Sequence, residues 1–318
     1  MLSRRALVAM ALHPHPAAAQ LWAEGRTIRC VVPFPPGGVV DVVARLVVPA
    51  LSAELQRTIV IENRGGASGM AGAETVARAA PDGTTLLLTN STHVVTPHVL
   101  PRIPFHAVED FSAIGLVGGA PVLMAAHPSS PFRTLADVLA AGRVGEGPHF
   151  ASAGNGSAGH LVMAQIQSLS GTRYSHVPFR GGGPAIQAAL GGQVPLILAS
   201  AASLGPQVAN GSLRGIAVSS LQRLPTLPDI PTIAEQGFPD FEVDAWVGLF
   251  APARTPEPVI HRVSEALARI LAEPALRERL AATGTTARIM PPARFAAYVA
   301  EEYARWGRVV RENGITLD

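Results

Sequence analysis

Apolar positions along the chain fall into short continuous runs that alternate with helical spacing. Ile28–Phe34 has the length of a strand, and Val43, Leu46, Val47, Ala50, Leu51 and Leu55 then recur at the helical period across 40–56. Pro49 removes one backbone hydrogen bond from that helix and predicts a kink. Thr58–Glu62 reads as a second strand, 70–79 as a helix closed by Pro81-Asp82-Gly83, and Thr85–Asn90 as a third strand. This βαβαβ order predicts a parallel sheet with helices on its faces.

A second series repeats the alternation. Helices are expected at Phe132–Ala141, His160–Ser170 and Pro184–Leu190, and strands at His149–Ser152, His176–Phe179, Val194–Leu198 and Leu213–Ser219. Between the two series, Ile114–Ala126 is long and apolar enough to run from one unit to the other, and Val243–Ala251 to run back. Helices at about 256–272, 274–283 and 292–313 close the chain, with Trp306 turned inward. The expected architecture is α/β and two-lobed. The first lobe covers 21–122 and resumes at 247–318, the second covers 123–246, and a cleft lies between them.

The turns carry the candidate chemistry. The first strand breaks into Phe34-Pro35-Pro36-Gly37-Gly38 and opens at once onto Val39-Val40-Asp41. Glycine lets backbone approach a ligand, and the first turn of a helix leaves N–H groups without intrahelical partners. Such a turn seats an anion. Related turns follow at Arg64–Gly69, Ala153–Gly159 and Arg180–Pro184. Four of them, with no obvious catalytic motif, point to a protein that holds something rather than converts it. Asp41 reads two ways, as a ligand contact or as an acid stabilising the helix dipole. Asn155 and Ser157 read as ligand donors or as caps of the following helix.

Composition narrows the field. All 25 basic residues are arginine, which excludes a Walker A lysine, a pyridoxal Schiff base and a kinase strand lysine. Setting Arg4 and Arg5 aside, the remaining basic residues balance the 23 acidic ones, so no nucleic-acid partner is expected. The lone Cys30 cannot form an internal disulfide and is expected to be buried. Residues 1–20 read as a cleaved export signal, with Arg4-Arg5, an apolar Ala6–Leu12 and small Ala17-Ala18-Ala19; this places the mature chain in the periplasm. Residues 147–228 contain no acidic residue but carry Arg173, Arg180, Arg214 and Arg223, so the second lobe is biased positive.

Competing chemistries are weaker. Gly154, Gly156 and Gly159 match the dinucleotide spacing, but no acid follows about twenty residues on. Ser157 and His160 suggest an exported serine hydrolase, yet no Gly-x-Ser-x-Gly elbow frames the serine. His93 and His98 lack a third metal partner, so neither a metal nor a cofactor is expected. A surface adhesin without a cleft is a third reading.

Taken together the motifs resemble the substrate-binding receptors of tripartite tricarboxylate transporters, the TctC or Bug family. The resemblance rests on Val31–Gly38 with Asp41, Ile61–Arg64, Ala80–Gly83, Thr92-His93, Gly154-Asn155-Gly156 with Gly159-His160, Val177–Gly181, Gly191–Val194, Leu227–Thr232 and Gly248–Pro252. It implies a type II-like Venus flytrap that closes on a small mono-, di- or tricarboxylate and, as a monomer, delivers it to membrane permease subunits. By position it implies ligand contacts at Phe34, Pro36, Gly38, Val39, Val40, Asp41, Ser91, Thr92 and His93 in the first lobe. In the second lobe it implies Ser152, Ala153, Asn155, Gly156, Ser157, Arg180, Gly181 and Ala199. Arg180 is the side chain best shaped to pair with a carboxylate. Two departures stand out. Val40 replaces a frequent hydroxyl residue, and Leu198-Ala199 replaces a frequent Phe-Asp, which favours plain carboxylates over amino acids.

Overall fold

A computed structural model describes residues 25–37, 39–66, 69–100, 102–179, 181–312 and 314. The proposed export signal lies outside the described residues. Two sheets organise the chain. The first has the order β11-β4-β10-β3-β1-β2, with β1 Ile28–Val32, β2 Ile59–Asn63, β3 Thr85–Asn90, β4 Phe111–Gly119, β10 Val247–Pro252 and β11 Thr286–Met290. The second has the order β7-β6-β8-β5-β9, with β5 Val122–Ala126, β6 His149–Ser152, β7 Ser175–Pro178, β8 Leu196–Ser200 and β9 Arg214–Val218. β1, β2 and β3 are parallel, as are β6, β7 and β8, while β10 and β5 enter antiparallel.

Helices cover both faces of each sheet, which is why these strands read as continuous apolar runs rather than alternating ones. Against one face of the first sheet lie α1 (Val39–Leu55), α8 (Glu257–Ala272) and α9 (Pro274–Ala282), burying Val43, Val47, Leu51, Val263, Leu267 and Leu280. A second core holds α2 (Met70–Ala77), α3 (Thr92–Val99) and α10 (Pro292–Glu312) and continues without a break onto α5 (Ala158–Ser170) of the second sheet. A third packs α6 (Gly182–Leu190) and α7 (Ala201–Ala209) on the far face of that sheet. The remaining helix, α4, spans Leu135–Ala141 and starts on a Thr134–Asp137 capping box. Among the described residues, no helix is long and apolar enough to cross a membrane.

Some elements differ from the sequence reading. The segment 114–126 is not one strand: it breaks at Ala120-Pro121 into β4 and β5, one in each sheet. α1 continues through Pro49 for two more turns, held by buried Val47, Val48 and Leu51. α3, α7 and β11 are additions. Trp306 and Cys30 are buried as expected.

The two connectors pair with each other. Pro121 bridges Asp244, and the Ala245 amide donates to the Ala120 carbonyl at 3.0 Å. Asp244 is buried and bonded to Arg288 of β11, and burial pushes its carboxyl up to about 6.

Candidate functional site: two facing sheet edges

Strand register fixes where the glycine-rich turns lie. Val247 stands opposite both Asn90 and Gly118, so the carboxyl ends of β3, β4 and β1 share the edge from which the chain leaves the first sheet. In the second sheet Val122 stands opposite Ser200, so the carboxyl ends of β8 and its parallel neighbours β6 and β7 share the receiving edge. The turns after β1, β3, β6 and β8 therefore flank the crevice spanned by the two connectors. Open α/β sheets bind ligands at the carboxyl ends of their strands.

In the first lobe, the turn is shaped from below by Asp41. Its Oδ2 accepts from the Gly37 amide and from Arg45 Nε, both at 2.9 Å; its Oδ1 accepts from Arg45 Nη2 at 3.1 Å and Asn63 Nδ2 at 2.9 Å. The same Asn63 amide donates to the Phe34 carbonyl at 3.1 Å. Bonding to Arg45, then to Gly37 and Asn63, holds the Asp41 carboxyl down at about 2 against the cost of burial. Asp41 thus positions the turn, its oxygens already committed, and Gly37 at φ +85° closes the bend. Val40 points into the core, so its amide rather than its side chain is what it offers the crevice, and Val39 is exposed. Phe34 is half-buried and Pro36 exposed at the turn's surface; Gly38 lies outside the described residues. The turn after β2 packs against Pro35 and Phe34 and buttresses this seat.

After β3, the Ser91 amide donates to the Trp246 carbonyl of the return connector at 3.1 Å, and Asn90 Oδ1 accepts from both the amide and the hydroxyl of Thr92. His93 corrects the sequence reading. Its ring is fully buried among Phe105, Phe111 and Phe250, with Nε2 at 2.8 Å from the Ala107 carbonyl. It is a core residue, because the helical turn directs it under the sheet rather than out of the crevice.

In the second lobe, the turn Ala153–Ser157 leads into α5, whose first amides at Ala158 and Gly159 have no intrahelical partners. Gly159 lies against the Leu198 carbonyl, where an added Cβ would approach to 2.1 Å, so the start of α5 is pressed onto the end of β8 beside buried Ala199. Ser157 occupies the N-cap position without capping; its hydroxyl lies 3.1 Å from Ser152 Oγ. Ser152 Oγ lies 2.6 Å from His176 Nε2. The His176 ring stacks on His160 with centroids 4.0 Å apart, and His160 Nδ1 accepts from the Gly156 amide at 3.1 Å. Burial pushes the imidazoles down, to about 4 for His160 and about 3 for His176. Asn155 is exposed, and the Gly181 amide donates to the Ala153 carbonyl, tying the second turn to the first. Arg180 lies outside the described residues.

Two expectations shift on this geometry. The Ser157–His160 pair is not assembled, since the histidine serves Gly156 and the serine faces Ser152. The positive wall is also weakened. Arg223 pairs with Glu235, Arg214 donates to the Phe132 and Pro128 carbonyls, and the stacked histidines are neutral at pH 7. Among the described residues, the turns on the facing edges present backbone and hydroxyl dipoles. A cavity of about 450 Å³ beside the connectors, walled by Pro121, Ala201, Gly205, Leu227, Ala282 and Thr286, reaches the end of β8 at Ala201 but shares no residue with the turns after β1, β3 and β6.

Two α/β lobes joined by paired connectors, with helix-opening turns on both facing edges, define a solute-binding receptor. Residues 43–315 match the family model described as tripartite tricarboxylate transporter family receptor, and the chain belongs to that family. The Bordetella pertussis protein BugT is 34% identical over 295 residues, covering 92% of this chain and 90% of its own. Among solved structures, MatC from Rhodopseudomonas palustris with bound malate is 34% identical with a TM-score of 0.75, over 90% of this chain and 99% of that one. An R. palustris protein with adipate is 28% identical with a TM-score of 0.77, over 92% and 99%.

Proposed function

We propose that this chain is an extracytoplasmic receptor that binds a small dicarboxylate between its lobes, without turnover, and delivers it to a tripartite tricarboxylate-type permease. The observation that carries the reading is the pair of facing edges, each presenting a helix-opening turn whose first helical amides have no intrahelical partner. Malate and adipate in the related structures support a ligand with two carboxyl groups. The lobes close as 21–122 with 247–318 against 123–246, acting as a monomer in the periplasm.

In this reading the turn amides around Pro36–Val39 and the Ser91–Thr92 turn take one end of the ligand, and Ser152–Ser157 with Gly181 takes the other. Arg180 and Gly38 belong to the same proposed contacts. Ala199 supplies no charge, so a ligand ammonium group finds no partner there. A thermal-shift panel tests the proposal. Malate, adipate or another dicarboxylate at a hundredfold excess over its Kd stabilises the protein by about 2.7 kcal/mol, while amino acids and sugars do not. A panel in which neutral sugars raise Tm and no carboxylate does would overturn it.

A further inference from the structure

The cavity of about 450 Å³ beside the connectors lies across them from the turns after β1 and β3. Strand order places it there. β4 and β10, which lead into the connectors, have β3 and β1 on one side and β11 on the other. The cavity meets this sheet at Thr286, the first residue of β11, and at Ala282 and Gly284 just before it. Its opposite wall is the flank of α7, with Leu227 beyond β9. Pro121 of the first connector also lines it, and the Ala201 amide hangs α7 from the Pro121 carbonyl at 2.8 Å.

The two sides of the hinge differ in how far their walls stand apart. In front, Val39 is 61% exposed and Asn155 on the other edge is exposed too, so the turns are separated. Behind, the walls already touch: a Cβ added at Gly284 would fall 2.0 Å from the Ala202 Cβ. Connectors set between two interfaces act as a fulcrum. Bringing the turns together therefore draws Gly284 away from Ala202 and widens the cavity.

The walls also define what the cavity can hold. Every lining side chain is Ala, Gly, Pro, Leu or Thr, so a charged guest would lose its hydration and gain no partner. The opening residues of α7 and the closing residues of α9 both line the space, and their opposite dipole ends give it no net sign. Thr226 and Thr286 supply exposed hydroxyls. The volume is that of an ordinary small-molecule site.

We propose that this cavity is a second binding site, for a small, neutral, mainly apolar molecule carrying a hydroxyl, and that filling it holds the crevice open against the carboxylate. The binding stands on the cavity alone; the coupling rests on the receptor reading above. An occupant touching both walls favours their present spacing, because closure pulls one wall off it and returns apolar surface to water. By linkage the carboxylate must weaken the apolar guest by the same factor.

The probe is 1-hexanol. Saturation-transfer NMR on the full-length protein should detect 1-hexanol bound, and should detect no binding of hexylammonium, a cation of the same length. A282L and A209L, on exposed helical positions of opposite walls, should each abolish the hexanol signal while keeping the parent Tm. Calorimetric titration with adipate should give about fivefold weaker binding in saturating hexanol. That loss should vanish in A282L and should not appear with hexylammonium at the same concentration. No hexanol signal, equal signals in the parent and both folded variants, or equal binding of hexylammonium would overturn the site. Hexanol bound in the cavity with adipate affinity unchanged or raised would overturn the coupling. If neither adipate nor malate binds the parent protein, the receptor reading fails, while the hexanol signal and its loss in the two variants still decide the site.

Discussion

Asp41 shows how one buried carboxylate shapes a glycine-rich turn from below. Its four donors come from Gly37, Arg45 and Asn63, and together they fix the bend that presents the neighbouring amides. Replacing it by alanine leaves the Gly37 amide without its acceptor and Asn63 with only its bond to the Phe34 carbonyl, at a cost of about 1–3 kcal/mol in urea denaturation. D41N should weaken dicarboxylate binding chiefly by loosening the turn, so the loss appears in the dissociation rate. The pH dependence has a definite sign. The native carboxyl is held at about 2 against an ordinary 3.8, so its stabilisation is complete above the ordinary value and disappears as pH falls through about 2. Urea midpoints of the parent and D41N, compared at pH 7 and at pH 3, should therefore converge as acid is added.

At the scale of elements, the contact between α5 and β8 is a tight joint of the second lobe. Gly159→Ala should destabilise by about 1–3 kcal/mol, the usual cost of overpacking, because the added methyl meets a backbone carbonyl that cannot swing aside. Denaturant midpoints at constant slope check this. The elements that apolar periodicity revealed are those with continuous buried faces, such as β1, β3, α1 and α10. α3 and α7 are short, each holds an internal proline (Pro97 and Pro206), and each starts directly after a strand, so their helical spacing is faint. β11 is short and mostly exposed, so its pattern is faint. The turns were legible because glycine and proline mark them. The partners beneath them were not, since Asn63 reaches Asp41, and His176 reaches Ser152, only through the pairing of parallel strands. Knowing that register would have exposed both, because Val32 stands opposite Asn63 and Ser152 opposite Pro178.

For the whole molecule, buried titratable groups oppose one another. His93 and His160 are held at about 4 and His176 at about 3, against 6.5 in the unfolded chain. Each stabilises fully above 6.5, and its contribution is lost as pH falls towards those values. Asp244 runs the other way: raised to about 6, it stabilises below the ordinary 3.8, and that contribution is lost as pH rises through 6. Three histidines outweigh one aspartate, so Tm should fall as pH drops from about 6.5 to 4, and D244N should make the fall steeper. Scanning calorimetry over that range checks both slopes. Closure on ligand should also appear as a smaller radius of gyration in solution scattering with malate or adipate, unchanged with a neutral sugar.

The position of β10 has a consequence for the order in which the protein is made. It lies in the interior of the first sheet, between β3 and β4, yet the chain reaches it only after the whole second sheet has been built. Until Val247–Pro252 arrives, β3 and β4 have no strand between them, and each exposes an unpaired edge open to wrong pairing. The lobe begun first is therefore finished last. During synthesis the early half of the chain depends on waiting, and a ribosome stalled near residue 246 would release a molecule with one mature lobe and one gap.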